Sequence, residues 1–100
     1  MQFPKPLTWK NKKYLDTIRG LPCCVCGAPP PNDPHHMLVS GMSVKGPDAW
    51  AIPLCRKHHN DIEACRWMVL ELQYGFTEVE AWKMVARCML GWLERQGNDV

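Results

Sequence analysis

The sequence lacks a long hydrophobic run: no segment approaches the roughly 18 consecutive apolar residues that would span a bilayer. It also lacks a recognisable export signal, since residues 1–22 carry four lysines and three prolines around no apolar stretch. Internal repeats and low-complexity segments are missing as well. We therefore expect a protein of the reducing cytoplasm with no membrane partner.

A hundred residues make one domain, because two separate cores would each fall near the size at which chains stop folding unaided. Apolar residues are 46% of the chain and charged residues 22%, which excludes a disordered tail protein. Six cysteines and four histidines stand out. In a short cytosolic chain these favour a bound metal over disulfides, and a disulfide-bonded secreted module is the disfavoured alternative.

The charge is unevenly distributed along the chain. Residues 1–59 hold eight basic side chains against three acidic ones, a balance of +5. Residues 60–100 hold four basic against seven acidic, a balance of −3. The half that contains most of the cysteines and all of the histidines is therefore the half that would attract a polyanion. The alternative is that the N-terminal lysines form a solvated arm that binds nothing.

The sequence predicts the following order of elements: a helix, a tight turn with cysteines (a knuckle), a strand, a loop, a strand, a second knuckle and two helices. We expect a short helix within residues 9–19 that ends at Gly20, strands at 35–39 and 50–54, and one helix after Cys55 that runs to Tyr74. Gly75 is its expected left-handed stop. Thr77 with Glu80 forms a capping-box signature for a last helix that ends near Gln96.

Two pairs of residues have the spacing of zinc ligands. Cys23 and Cys26 form one pair, and Cys55 and His58 form the other, each separated by two residues. Such spacing lets one tight turn place both donors on the same tetrahedral ion, so the four predict a closed, structural Cys3His zinc site. Cys24 is a competing ligand with poorer spacing. The alternative is buried free thiols, which we expect for Cys65 and Cys88.

The remaining histidines suggest a second metal site. His59 and Glu63 are four residues apart and share one helix face, where an imidazole and a carboxylate can hold one divalent ion. His35 and His36 point to opposite sides of a strand, so one can join the ion while the other faces a substrate. His35, His59 and Glu63 then form a 2-His-1-carboxylate set with open positions, and His36 is free as a general base. The alternative is that the histidine pair caps backbone groups and that Glu63 is a surface charge.

The sequence resembles a known family along residues 14–76. The string Cys-x-x-Cys, His-His, a glycine-rich loop and Leu-Cys-x-x-His-His is similar to HNH endonucleases of the ββα-metal fold. More narrowly, several segments resemble small phage and prophage nucleases of the recombination-enhancement group. These segments are Tyr14-Leu15-Asp16, Leu21-Pro22-Cys23, Asp33-Pro34-His35-His36, Lys45-Gly46-Pro47-Asp48 and Ile52 to His59.

The resemblance implies a role for each matching residue. His35 and His59 hold the catalytic metal, and His36 activates water. The family usually has a further histidine where this chain has Glu63, and a carboxylate there favours Mg²⁺ or Mn²⁺. Many HNH proteins also have asparagine, which orients the base, where this chain has Trp50. We take Asp48 as the candidate for that orienting role.

We expect an α+β fold. It has a small zinc-stabilised ββα-metal core, made of a short β-hairpin and a helix, flanked by an N-terminal and a C-terminal helix. Residues 1–13 form a basic flexible arm, 14–76 the HNH core, and 77–100 a helix packed on that core. One structural Zn²⁺ and one catalytic Mg²⁺ or Mn²⁺ are implied. The expected activity is hydrolysis of DNA phosphodiesters in phage or prophage recombination.

The expected partners are DNA and, from the resemblance, a recombinase or another DNA-processing protein of the phage or host. The oligomeric state stays open. We expect basic side chains to contact the DNA phosphates and to recognise the bases little. These side chains are Lys5, Lys10, Lys12, Lys13, Arg19, Lys45, Arg56 and Lys57.

Two alternatives to catalysis remain. One is a zinc-stabilised DNA- or protein-binding module in which Glu63 and Trp50 mark a decayed site. The other is an interaction protein that works through the C-terminal tryptophans Trp67, Trp82 and Trp92, although packing of this stripe against the zinc lobe is the favoured interpretation.

Overall fold

A computed structural model describes residues 9–37, 46–64 and 67–97. The fold is α+β, as the sequence predicts: a two-stranded antiparallel sheet and four α-helices lie within these ranges. The elements are α1 (Lys12–Arg19), β1 (Asp33–His36), β2 (Ala51–Leu54), α2 (Arg56–Glu63), α3 (Trp67–Tyr74) and α4 (Glu78–Gly97), with a short 3-10 turn at Asp48–Trp50 before β2. None of the helices in the described ranges is long and apolar enough to cross a membrane.

Helix α1 begins later than residue 9 because Asn11 caps it. The Asn11 side chain accepts a hydrogen bond from Tyr14 N at 3.0 Å, which satisfies one of the free amides of the first turn. Tyr14 and Ile18 are fully buried on the inner face of the helix. The first turn includes Lys12 and Lys13, which we had assigned to the flexible arm; residues 1–8 of that arm lie outside the described residues.

The two strands pair so that neighbouring residues of β1 alternate between two faces of the sheet. His35 pairs with Ile52 and His36 with Ala51. The predicted opposite orientation of the two histidines is therefore confirmed. Pro34 faces Pro53 in the same register, and Pro53 O accepts a hydrogen bond from Cys24 N at 3.0 Å on the outer side of β2. Both strands are shorter than predicted, since β1 ends at His36 and Trp50 belongs to the 3-10 turn.

The prediction of one helix from Cys55 to Tyr74 is wrong. Helix α2 ends at Glu63 with Ala64 as its C-cap, and α3 begins at Trp67. Ile62 of α2 and Leu70 of α3 belong to the same core cluster, so both helices pack against one core. Residue 65, which we expected to be a buried thiol, lies outside the described residues.

Helix α4 begins and ends close to its predicted limits. Gly75 has a φ of 66°, the left-handed conformation expected of a stop signal, and Thr77 Oγ1 accepts a hydrogen bond from Glu80 N at 3.2 Å. Ala81 and Val85 lie in the main core cluster, and Cys88 is buried in the cluster around Tyr14, as expected. By contrast, the apolar side chains of Val79 and Leu93 on α4 are exposed.

Tryptophans join α4 to the rest of the fold. The Trp82 ring lies edge-on to Trp50 at 5.1 Å between centroids, and Trp92 lies edge-on to Tyr14 at 5.4 Å. The third tryptophan of the stripe, Trp67, stacks on Phe76 at 6.3 Å. All three tryptophans therefore contribute to packing, in agreement with the favoured interpretation of that stripe.

Candidate metal centres

The four predicted zinc ligands come together at one end of the sheet. The turn after α1 provides Cys23 and Cys26, and the start of α2 provides Cys55 and His58. Sγ of Cys26 lies 3.9 Å from Sγ of Cys55, and Nδ1 of His58 lies 3.1 Å from Cys55 Sγ and 3.8 Å from Cys23 Sγ. Zn–S bonds of about 2.3 Å require ligand separations of roughly 3.8 Å in a tetrahedron. The group could hold a metal ion and is compatible with a structural zinc.

The surroundings of Cys23 favour the thiolate that a metal needs. Burial opposes ionisation of this thiol, but backbone hydrogen bonds from Cys55, Cys26 and Val25 and the ring of His58 lower its pKa to about 6. Cys24 behaves differently, because burial and the nearby Cys23 raise its pKa to about 12. Cys24 is not part of the metal-binding group found among the described residues.

A second group of possible metal ligands consists of His35, His59 and Glu63. Oε1 of Glu63 lies 3.2 Å from Nε2 of His59 and 3.6 Å from Nδ1 of His35. His35 is 5% exposed, and its Nδ1 atom has no hydrogen-bond partner among the described residues. An unpaired buried nitrogen is costly unless something binds it. A cation between these three atoms would satisfy that nitrogen.

His35 is suited to be a ligand because it stays neutral. Burial and the neighbouring ring of His59 lower the pKa of His35 to about 4. At neutral pH the imidazole therefore carries no charge and keeps a lone pair for a metal ion. The two imidazole rings are held edge to face, with centroids 5.3 Å apart.

His59 has a further partner that the sequence did not suggest. Its Nδ1 lies 3.2 Å from Oδ2 of Asp33, at the start of β1. The same Oδ2 accepts a hydrogen bond from Arg56 Nε at 2.8 Å, and Oδ1 accepts one from Arg56 Nη2 at 3.4 Å. These hydrogen bonds, from Arg56 first and then His59, hold the pKa of Asp33 below its usual value despite some burial.

On the opposite face of β1, His36 is paired with Asp48. Nε2 of His36 lies 2.8 Å from Oδ1 of Asp48, and Asp48 Oδ2 accepts a hydrogen bond from Asn11 N at 2.7 Å. Burial raises the pKa of Asp48, but the Asn11 amide and the His36 ring outweigh it and keep the value lowered. The candidate orienting residue therefore contacts the candidate base.

The predicted phosphate-binding side chains differ in their availability. Lys12 and Lys13 are exposed on α1, and Lys57 is exposed on α2. Arg56 is also exposed, and its guanidinium forms an ion pair with Asp33. Residues 5 and 45, which we also assigned to DNA contact, lie outside the described residues.

Comparison with known proteins identifies one family. The model of the family described as "Protein of unknown function (DUF968)" matches residues 1–90. The protein called "Uncharacterized protein YdfU" of Escherichia coli (strain K12) is 42% identical over an alignment of 78 residues that covers 75% of this chain and 22% of that relative. This chain thus spans about a fifth of that relative's length. No solved structure matches the chain.

Since the family model covers nearly the whole sequence, the chain belongs to the family described as "Protein of unknown function (DUF968)".

Proposed function

We propose that this protein is a metal-dependent DNA endonuclease of the HNH type, acting in the processing of phage or prophage DNA. The observation that carries the proposal is the pairing of two features on one short strand. His35 belongs to a group that could hold a divalent ion, and the adjacent His36 contacts a carboxylate on the other face. A general base beside a metal ion is an arrangement that can hydrolyse phosphodiesters.

The order of elements agrees with the proposal. Strands β1 and β2 are followed directly by α2, and α2 contacts both strands. This is the strand, strand, helix order of the ββα-metal fold that the sequence resembles. In our proposal the Cys3His group holds a structural zinc that fixes α2 against the sheet. The zinc then brings His59 of α2 close to His35 of β1 without taking part in the chemistry.

His36 would act through its Nδ1 atom. The carboxylate of Asp48 is ionised and can only accept a hydrogen bond, so the proton of a neutral His36 ring lies on Nε2. The lone pair is then on Nδ1, which takes a proton from water. The resulting hydroxide attacks phosphorus in line with the leaving 3′-oxygen.

A divalent ion bound by His35, His59 and Glu63 would stabilise negative charge on the phosphate and on that leaving oxygen. The hard oxygen of Glu63 favours Mg²⁺ or Mn²⁺ over softer ions. Lys12, Lys13 and Lys57 would add salt-dependent contacts to the DNA backbone.

Nicking of supercoiled plasmid tests the proposal. Wild type and His36→Ala are compared in Mg²⁺, in Mn²⁺ and in EDTA. We expect nicking by the wild type in either metal, none in EDTA, and a loss of at least 100-fold in His36→Ala. Glu94→Gln is the matched control, since it changes an exposed residue of α4, and it should cut at the wild-type rate.

Zinc content distinguishes inactive protein from unfolded protein in this assay. If wild type and His36→Ala both carry one zinc and neither cuts, the nuclease proposal is wrong. DNA binding that persists in those samples would then identify a non-catalytic zinc-stabilised binding module.

A further inference from the structure

Asp33 occupies a position between two side chains of the first turn of α2. Arg56 and His59 are three residues apart, so they lie on the same face of the helix. Asp33 pairs with Leu54 at the end of β2, immediately before α2 begins. The sheet register therefore sets the Asp33 carboxylate opposite both helix side chains, at 2.8 Å from Arg56 Nε and 3.2 Å from His59 Nδ1.

This contact determines which nitrogen of His59 is available. An ionised carboxylate has no proton to donate, so a neutral His59 ring that makes this hydrogen bond has its proton on Nδ1 and none left for the Glu63 carboxylate beside Nε2. The lone pair is then on Nε2. That atom lies 3.2 Å from Glu63 Oε1, on the side of the ring that faces the group of possible ligands. Without Asp33, the ring could also place its proton on Nε2 or turn away.

Arg56 fixes the carboxylate in turn. It contacts both oxygens of Asp33, and a two-point contact of this kind restricts rotation of the carboxylate about its bond to Cβ. Arg56, Asp33 and His59 thus form a chain of charge-assisted hydrogen bonds that ends at the candidate metal site. The Asp16–Arg19 pair of α1 offers a contrast, since it is a similarly short ion pair, at 2.7 Å, that includes neither Asp33 nor His59.

We propose that Asp33 is a positioning residue that, held by Arg56, fixes the tautomer and orientation of His59 so that Nε2 binds the divalent ion. The inference rests on the proposed metal site but not on cleavage. Outer carboxylates that orient a metal-binding histidine typically contribute 10- to 100-fold to metal affinity. Arg56 would then support the metal site by holding Asp33, instead of making the DNA phosphate contact that the sequence predicts.

Two measurements on zinc-loaded protein test the proposal without an activity assay. Electron paramagnetic resonance of free Mn²⁺ gives the affinity of wild type, Asp33→Ala, Asp33→Asn and the control Asp16→Ala. Long-range ¹H–¹⁵N spectra at pH 8 without Mn²⁺ report which nitrogen of His59 carries the proton. A purely electrostatic effect of Asp33 would change the affinity but not the tautomer, so the spectra separate the two explanations.

We expect Asp33→Ala to bind Mn²⁺ at least about tenfold more weakly and to lose the Nδ1–H form of His59. Asp33→Asn keeps an acceptor oxygen but no charge, so its affinity should lie between those of Asp33→Ala and the wild type, and Asp16→Ala should match the wild type. Wild-type Mn²⁺ affinity or an unchanged His59 tautomer in Asp33→Ala would overturn the proposal. If Asp33→Ala does not retain zinc, wild-type affinity in Asp33→Asn would overturn it instead.

The outcome is independent of the plasmid assay. A wild-type protein that binds Mn²⁺ in an Asp33-dependent way but does not nick DNA would refute the proposed function and support this inference. A wild type that binds no Mn²⁺ would overturn the inference whatever the plasmid assay shows.

Discussion

The side chain of His36 is oriented by a hydrogen bond with Asp48. Asp48 accepts that bond at 2.8 Å and is itself held by the amide of Asn11. We expect Asp48→Asn to lower kcat for plasmid nicking about 10- to 100-fold, because an amide orients the ring less strongly than a carboxylate does. KM and Mn²⁺ affinity should not change. Steady-state kinetics test this, with Asp16→Asn as the charge-matched control; a rise in KM at constant kcat would contradict it.

Glu63 is where the chain departs most clearly from the HNH pattern. Glu63→His replaces an oxygen ligand by a nitrogen ligand, so we expect the preference to move from Mg²⁺ toward softer ions such as Ni²⁺. The measurement is the ratio of nicking rates in Ni²⁺ and Mg²⁺, which should rise at least about tenfold. Glu94→Gln again serves as the control. An unchanged ratio would mean that Glu63 does not contact the ion.

For individual residues, the sequence predicted those members of the candidate metal sites that lie close together along the chain. Ligand pairs two residues apart, and the helical spacing of His59 and Glu63, follow from local geometry alone. The role of Asp33 could not be predicted in this way. It lies 26 residues before His59, and only the pairing of Asp33 with Leu54 brings the two side chains together.

Just before the 3-10 turn that leads into β2, the chain is tightly packed at Gly46. A Cβ atom added at Gly46 would clash with the Trp50 ring and lie 2.5 Å from Met37 O, whereas one added at Gly91 of α4 would meet nothing within 4 Å. We expect Gly46→Ala to lower the free energy of unfolding by about 1–3 kcal/mol. Gly91→Ala should raise it by up to about 1 kcal/mol, because alanine is the better helix former.

Urea denaturation monitored by tryptophan fluorescence measures both glycine variants. Gly46 lies two residues from Asp48, so Gly46→Ala should also reduce nicking, while Gly91→Ala should not. Equal stabilities for the two variants would show that the turn before β2 can relax around a methyl group.

The elements were predicted well where a local signal marks their ends. Gly75 follows the end of α3, and Thr77 caps the start of α4. Between α2 and α3 the sequence has no glycine or proline, so no local signal marked the break. The two helices are joined through tertiary packing, with Ile62 and Leu70 in one core.

Removing the metal ion should affect the whole molecule differently at the two candidate metal sites. The Cys3His group joins the turn after α1 to the start of α2, so removing its metal should abolish the cooperative thermal transition. The site formed by His35, His59 and the exposed Glu63 should release its ion in dilute EDTA with no change in Tm. Circular dichroism melting with zinc analysis tests both expectations, and Mg²⁺ should restore nicking only in the second case. A loss of folding in dilute EDTA would contradict this division.

The two prolines that face each other in the sheet affect whether its strands can pair with strands of other molecules. A sheet of two strands has two open edges, and open edges invite pairing with strands of other molecules. Pro34 and Pro53 lack an amide N–H, and Pro53 O is already bound by Cys24 N. An incoming strand would therefore find no backbone donor at the centre of either edge. We therefore expect Pro34 and Pro53 to weaken edge-to-edge pairing of strands beside the candidate metal ligands.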